Sequence, residues 1–223
     1  MSTDNTAVNK VRKRTDGRLA RGNQTRQLIL RHAVDVASVR GLEGLSLGHL
    51  ADELELSKSG VFSLFGSKEE LQRATVRTAV TIFLGHVVIP ARRFPDGVAK
   101  IRHLCEKWLD YSRTRVFPGG CFFYSVSAEF DARLGPVHDE VAAAQANWRT
   151  FIERTIEEAR AAGQIRPQTS TGQLAFELIA FMETANGESL LSGDDSAYGH
   201  ASAAILDRLR AATTDPQLLP DAP

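Results

Sequence analysis

Residues 46–71 read SLGHLADELELSKSGVFSLFGSKEEL, and the placement of serines and leucines in this stretch decides the fold. Ser46 precedes an apolar set at Leu47, Leu50, Ala51 and Leu54, the spacing of one helical face, and is placed as an N-cap. Leu56 fills a turn, and Ser57 is placed to cap a second short helix with Val61, Phe62 and Phe65 inward. Ser67-Lys68-Glu69-Glu70 has the form of a capping box that opens a third helix. Helices this short bury too little to stand alone. A preceding helix over residues 23–40 offers Ile29, Ala33, Val36 and Ala37 on one face and stops at Gly41. Two short helices joined by a tight turn and braced in this way form a helix-turn-helix, whose second helix fits a DNA major groove.

With those residues in place, the segment from Thr25 to Leu71 resembles the N-terminal domain of the TetR family of bacterial transcriptional regulators. The resemblance is carried by Leu50-Ala51, Ser57, Phe62, Phe65, Lys68, Glu69 and Leu71, which match the family's pattern in type and spacing. The remainder is similar to the family only in length and all-helical pattern. The resemblance implies an all-α chain with a three-helix DNA-binding head and a C-terminal body that binds a ligand and dimerises. Three residues depart from the pattern. Glu55 occupies a turn position where the family has Gly, and a positive φ there costs on the order of 1 kcal/mol. Ser59-Gly60 puts a helix-weakening glycine inside the recognition helix. Phe62 replaces a Tyr whose hydroxyl, in relatives, would reach a DNA phosphate.

Composition agrees with a globular chain: 223 residues, 43% hydrophobic and 24% charged, enough for a core. The net charge of zero is polarised. Residues 1–31 hold eight basic side chains against two acidic ones, a net +6, which leaves −6 for the rest. Residues 1–22 lack apolar periodicity and read as a flexible basic arm beside the head. Arg12, Arg14, Arg18 and Arg21 are its candidate DNA contacts; a solvated tail is the alternative, and the position beside the head favours the arm. No apolar segment follows the basic run, so no export signal is expected. The apolar run from Ala79 to Ala91 is interrupted by Gly85, His86 and Pro90 and is short for a bilayer, so the expected location is cytoplasmic, with no membrane partner.

Beyond Leu71 the pattern stays helical. Helices are expected over residues 67–88 (ended by Pro90 and Pro95), 96–115, 121–131, 137–162, 170–191 and 198–212, with a frayed tail at 213–223. The domains are thus an arm at 1–22, a head at 23–71 and a body at 72–212. The last two helices, about 170–212, carry apolar residues on more than one side, among them Leu174, Phe176, Phe181, Leu190 and Leu191. Burial within one chain would also account for them, but the family resemblance points to a homodimer.

Candidate lining for an effector pocket comprises His103, Trp108, Phe117, Cys121, Phe122, Phe123, Trp148, Phe151, Phe181, Glu183 and Asn186. Polar Glu183 and Asn186 on an apolar helix are the stronger candidates, because such groups need a partner. The lack of a Lys or Arg cluster among them favours a neutral or lipophilic effector. Cys105 and Cys121 have no metal-ligand spacing; Cys121, beside the pocket residues, reads either as a sensing thiol or as a small buried side chain. His103, His138, Asp139 and Glu140 form no catalytic or metal motif, so neither an enzyme nor a cofactor is expected.

The mechanism that follows is repression of a two-fold DNA operator, released by a small molecule; an activator or a ligand-insensitive DNA-binding protein is the alternative. Ser46, Ser57 and Lys68 are the candidate phosphate contacts. Lys58, Ser59, Gly60 and Ser63 are placed toward the bases, with Lys58 suited to guanine acceptors, and Leu64 completes the DNA-facing set.

Overall fold

The computed structural model describes residues 5–220, with side chains from residue 20 onward. Its described elements are helical, apart from an isolated antiparallel bridge between Ile165 and Thr213. In the head, helix α2 (Leu47–Glu53), α3 (Lys58–Phe65) and α4 (Lys68–Phe83) each start at the predicted serine. Ser46 Oγ accepts from His49 N at 3.4 Å, Ser57 Oγ from Gly60 N at 3.2 Å and Ser67 Oγ from Glu70 N at 3.1 Å.

The α2–α3 turn is a Schellman motif. Leu56 N–H donates to Ala51 O at 2.8 Å and Glu55 N–H to Asp52 O at 3.3 Å, which puts Glu55 in the left-handed region at φ +54°. The turn thus keeps the geometry that a glycine would favour. Phe62 is corrected: it is 50% exposed, not inward. Val61 and Phe65, one helical turn apart, take the core face, and Phe62 lies about 100° around the helix from Val61.

Helix α1 (Asn5–Arg40) begins far earlier than residue 23 and includes most of the stretch expected to be a flexible arm. That stretch has six Lys or Arg side chains, which have good helix propensity, and no Pro, so backbone propensity carries the helix where no apolar face exists. Its inner face from Ile29 to Ala37 packs on α4.

Helix α4 does not stop at Pro90. It continues through a π-helical turn (Leu84–Val88) into α5 (Ile89–Ala91). Ile89 N–H donates to Leu84 O across this wider turn, which moves the carbonyl ladder away from the Pro90 ring. The stretch Lys68–Ala91 is long and apolar enough to span a bilayer by composition, with a mean hydropathy of 1.4 in its most apolar window. Here it packs against α1, α8 (Pro136–Ala161) and α6 (Val98–Arg113).

The body is completed by α7 (Phe122–Phe130), α9 (Thr171–Ser192) and α10 (Ser196–Ala212), with α6 in contact with α8, α9 and α10. A buried polar cluster ties them together. Ser112 Oγ and Cys121 N–H both donate to Asn186 Oδ1, at 2.7 and 2.8 Å, and the Tyr198 hydroxyl lies 2.8 Å from Ser112 Oγ. Arg115 ends α6 in the left-handed region at φ +52°, its guanidinium donating to Tyr198 and Ser189. The tail expected to fray from residue 213 is instead packed: Thr213 and Leu219 are buried, and Thr213 Oγ1 donates to Gln164 O at 2.8 Å.

Head and body meet at two joints. In one, Arg73 and Arg77 of α4 donate to Glu140 of α8 at 3.1 and 2.7 Å. In the other, Glu129 of α7 accepts from Leu42 N–H and Glu43 N–H at 2.7 and 2.8 Å, while Gly119 N–H donates to Ser38 Oγ at 3.0 Å. A Cβ at Gly119 would stand 1.9 Å from Ser38 O, so the loop approaches α1 closer than any side chain allows. Gly119→Ala is therefore expected to lower unfolding free energy by roughly 3 kcal/mol, the overpacking range, in a urea titration. A loss under about 0.5 kcal/mol would show that the joint yields.

Candidate DNA-binding face and effector cavity

The outer face of α3 presents Lys58, Ser59, Phe62 and Ser63 to solvent. Gly60 is half-buried, and an added Cβ there would come within 2.7 Å of Ser57 Oγ, the capping atom. The glycine therefore belongs to the cap. Leu64 is partly buried against the core rather than turned outward. Lys58 Nζ lies 3.0 Å from Asp52 on α2, an exposed pair worth little in water. Lys68 is more firmly held: its Nζ donates to Glu43 O at 2.7 Å and to Glu43 Oε2 at 3.0 Å. Hydrogen bonds from Lys68 and from the Gln72 amide hold the Glu43 carboxyl below its ordinary pKa. Arg26 sits 5.0 Å over the Phe65 ring, so part of the basic end is bound into the head. Arg21 is exposed, and the side chains of Arg12, Arg14 and Arg18 lie outside the described residues.

A cavity of about 410 Å³ lies where α4, the π turn, α6, α7, α8 and α9 converge. Six sequence candidates line it: Trp108, Cys121, Phe123, Trp148, Phe151 and Glu183. The other five lie elsewhere. Phe117 and Phe122 are fully buried core rings, and Asn186 is consumed by the polar cluster as an acceptor for Ser112 and Cys121. His103 stacks on Phe94 with ring centroids 4.1 Å apart, and Phe181 is partly buried outside the lining.

Sequence reasoning missed the contribution of α4. Val76, Val80 and Phe83 line the cavity at the spacing of one helical face, which was legible as a second apolar face beyond the one packed on α1. Phe83 meets three rings edge-on, Tyr111 at 5.4 Å, Phe123 at 5.8 Å and Trp148 at 5.0 Å between centroids. Arg77 and Arg92 also line the cavity, two basic groups that were not among the sequence candidates. Arg77 is paired with Glu70 and Glu140, at 2.6 and 2.7 Å. Glu140 thereby belongs to an ion-pair joint. A second cavity of about 520 Å³ shares Gln145, Trp148 and Glu183 with the first.

Burial pushes the Cys121 thiol up to about 11 and Cys105 up to about 12, and raises the Glu183 carboxyl against the pull of Arg149. Among the described residues no three His, Cys, Asp or Glu side chains form a group fit for a metal ion.

Two family models match the chain. Residues 29–75 match "Bacterial regulatory proteins, tetR family", and residues 97–205 match "Tetracyclin repressor-like, C-terminal domain". The comparison with curated proteins found no match. Among solved structures, a TetR transcriptional regulator from Chloroflexus aurantiacus is similar at TM-score 0.81 and 23% identity, over 87% of this chain and 98% of that one. A putative transcriptional regulator from Saccharomonospora viridis in complex with choline is similar at TM-score 0.70 and 21% identity, over 86% and 99%. AibR in complex with isovaleryl coenzyme A and operator DNA is similar at TM-score 0.60 and 19% identity, over 73% and 85%.

The thiol environments give a direct check on Cys121 as a sensor. Both cysteines are buried with raised pKa, so the thiolate fraction near pH 8 is very small. Folded protein at that pH is expected to leave both thiols unmodified by an aromatic disulfide reagent over the time in which urea-unfolded protein reacts fully. Fast reaction of Cys121 in the folded state would restore the sensing reading.

Proposed function

The chain belongs to the TetR family of bacterial transcriptional regulators, and we propose that it is a dimeric repressor released from a two-fold operator when a lipophilic effector fills the cavity. The family makes it a ligand-responsive, DNA-binding regulator rather than an enzyme. One observation carries the finer reading: α4 starts in the DNA-binding head and ends, at Phe83, in the wall of the cavity. An effector that displaces Phe83 acts on the helix that supports α3. A coupling of ~1–3 kcal/mol between the sites weakens DNA binding by roughly 5- to 150-fold. The neighbours solved with choline and with an acyl coenzyme A plus operator DNA support ligand binding on this fold.

Two recognition helices about one DNA turn apart, ~34 Å, require two chains. The surface that supports pairing is α9, where Phe176 is 56% and Leu191 92% exposed. On the DNA, Ser46, Ser57 and the α1 arginines (Arg12, Arg14, Arg18 and Arg21) would meet phosphates. Lys58, Ser59 and Ser63 would face bases, with Phe62 against an apolar base edge. Lys68, tied to Glu43, positions α4 against the loop before α2, and shares with Glu43 any phosphate it meets.

Selection of bound sequences from a random duplex pool tests this reading. A palindrome with half-sites one turn apart is the expected product, and its absence in both the presence and absence of cavity ligands would overturn it. Lys58→Ala is expected to cost about 1–3 kcal/mol on the selected site and to relax preference at one position, whereas a uniform loss across sequences would make Lys58 a phosphate contact. The double substitution Phe176→Glu with Leu191→Glu is expected to give a monomer in sedimentation and to abolish operator binding at concentrations where the unsubstituted protein binds. A dimer that survives it would move the interface off α9.

A further inference from the structure

Two charged groups of the cavity lining, Glu183 and Arg92, have no partner among the described residues, and of these Glu183 is the half-buried one. It sits on α9, half-buried, in the wall shared by both cavities. Among the described residues it makes neither a hydrogen bond nor an ion pair, and Arg149 acts on it only at longer range. The cavity's other carboxylate, Glu140, is held between Arg73 and Arg77. Arg77 is in turn neutralised by Glu70 and Glu140, and Arg92 is exposed to solvent beyond α5. Five aromatic rings face the same space: Phe83, Trp108, Phe123, Trp148 and Phe151.

Building on the cavity as the effector site, we propose that its effector is an organic cation with an apolar body, whose charge sits against Glu183 and the aromatic walls. A neutral lipophilic occupant would strip water from the Glu183 carboxyl, at the cost of an unpaired charge or of proton uptake, and an anion would add repulsion. A cation removes both penalties and gains from the negative faces of the rings. The chain already uses this pairing at the same wall, where Arg154 lies 5.2 Å over the Phe151 ring. A volume of about 410 Å³ suits a compact molecule of one ring with short alkyl groups.

Both tryptophans of the chain, Trp108 and Trp148, line the cavity, so intrinsic fluorescence reports on it directly. The probes are benzyltriethylammonium, its uncharged isostere benzyltriethylsilane, and phenylbutyrate as the anion. The ammonium is expected to bind at least about tenfold more tightly than either of the others, and Glu183→Gln is expected to remove most of that preference while leaving silane binding unchanged. Silane or phenylbutyrate binding as tight as the ammonium, or an unchanged ammonium affinity in Glu183→Gln, would overturn the cation assignment and leave the cavity a ligand site. The comparison among probes on the unsubstituted protein stands even if the variant is unstable. Failure of all three probes to alter tryptophan emission would overturn the cavity as the effector site, and the cation assignment with it.

Discussion

The ring of Phe83 meets Tyr111, Phe123 and Trp148 edge-on, and the arrangement of head and body depends on that contact. Phe83 ends a helix whose first turn is capped in the head by Ser67. One rigid element therefore has its two ends in two different environments. Aromatic pairs are each worth about 0.5–1.5 kcal/mol beyond their buried area, so three of them match or exceed the ~1–3 kcal/mol of a typical coupling between sites. A ligand that re-sorts these rings commands enough free energy to move the helix. The π turn that follows at Leu84–Val88 lies in the same wall and has a looser hydrogen-bond ladder than α-helix, so it is the place where such a shift is absorbed at least cost.

The second joint constrains which shift is available. Glu129 grips the backbone of Leu42 and Glu43, and Gly119 lies against the Ser38 carbonyl with no room for a side chain. Hydrogen bonds to a charged acceptor are the stronger kind, about 1.5–3 kcal/mol each. At the α4–α8 joint the bonds join long, partly exposed arginines to one carboxylate and can be remade with little loss. The stiffer contact is thus at α1–α7 and the softer at α4–α8. Under the proposed mechanism a displacement of α4 would turn the head about the α1–α7 joint, the stiffer of the two.

Most of the head was legible in the sequence because its signals are local: three serine caps, Leu56 at the α2–α3 turn and two apolar residues, Val61 and Phe65, one helical turn apart. Where the reading of the head failed, as at Phe62, an apolar residue was assigned inward although the helix had only one face to bury. The basic N-terminal stretch was misread because periodicity reports tertiary packing, and α1 extends there on propensity alone. About a third of the cavity lining was recoverable from aromatic and polar residues on the middle helices. The rest was not, because a ring such as Phe117 and one such as Phe151 look alike in sequence and differ only in which neighbours close over them. Asn186 shows the same limit for polar groups: its need for partners was correct, and the partners are Ser112 and Cys121.

The distribution of charge explains how a chain of zero net charge serves as a DNA reader. The excess of basic residues is confined to α1 at the start of the chain, where it acts over a Debye length of about 10 Å and sets the encounter with DNA. Basic and imidazole side chains of the head are by contrast already paired within it: Lys58 with Asp52, and His32 and His49 with Glu53. Exposed pairs of this kind are worth about 0–1 kcal/mol, against about 1–3 kcal/mol for a good base contact. If Lys58 meets a base as proposed, the exposed pair with Asp52 is weak enough for that contact to replace it.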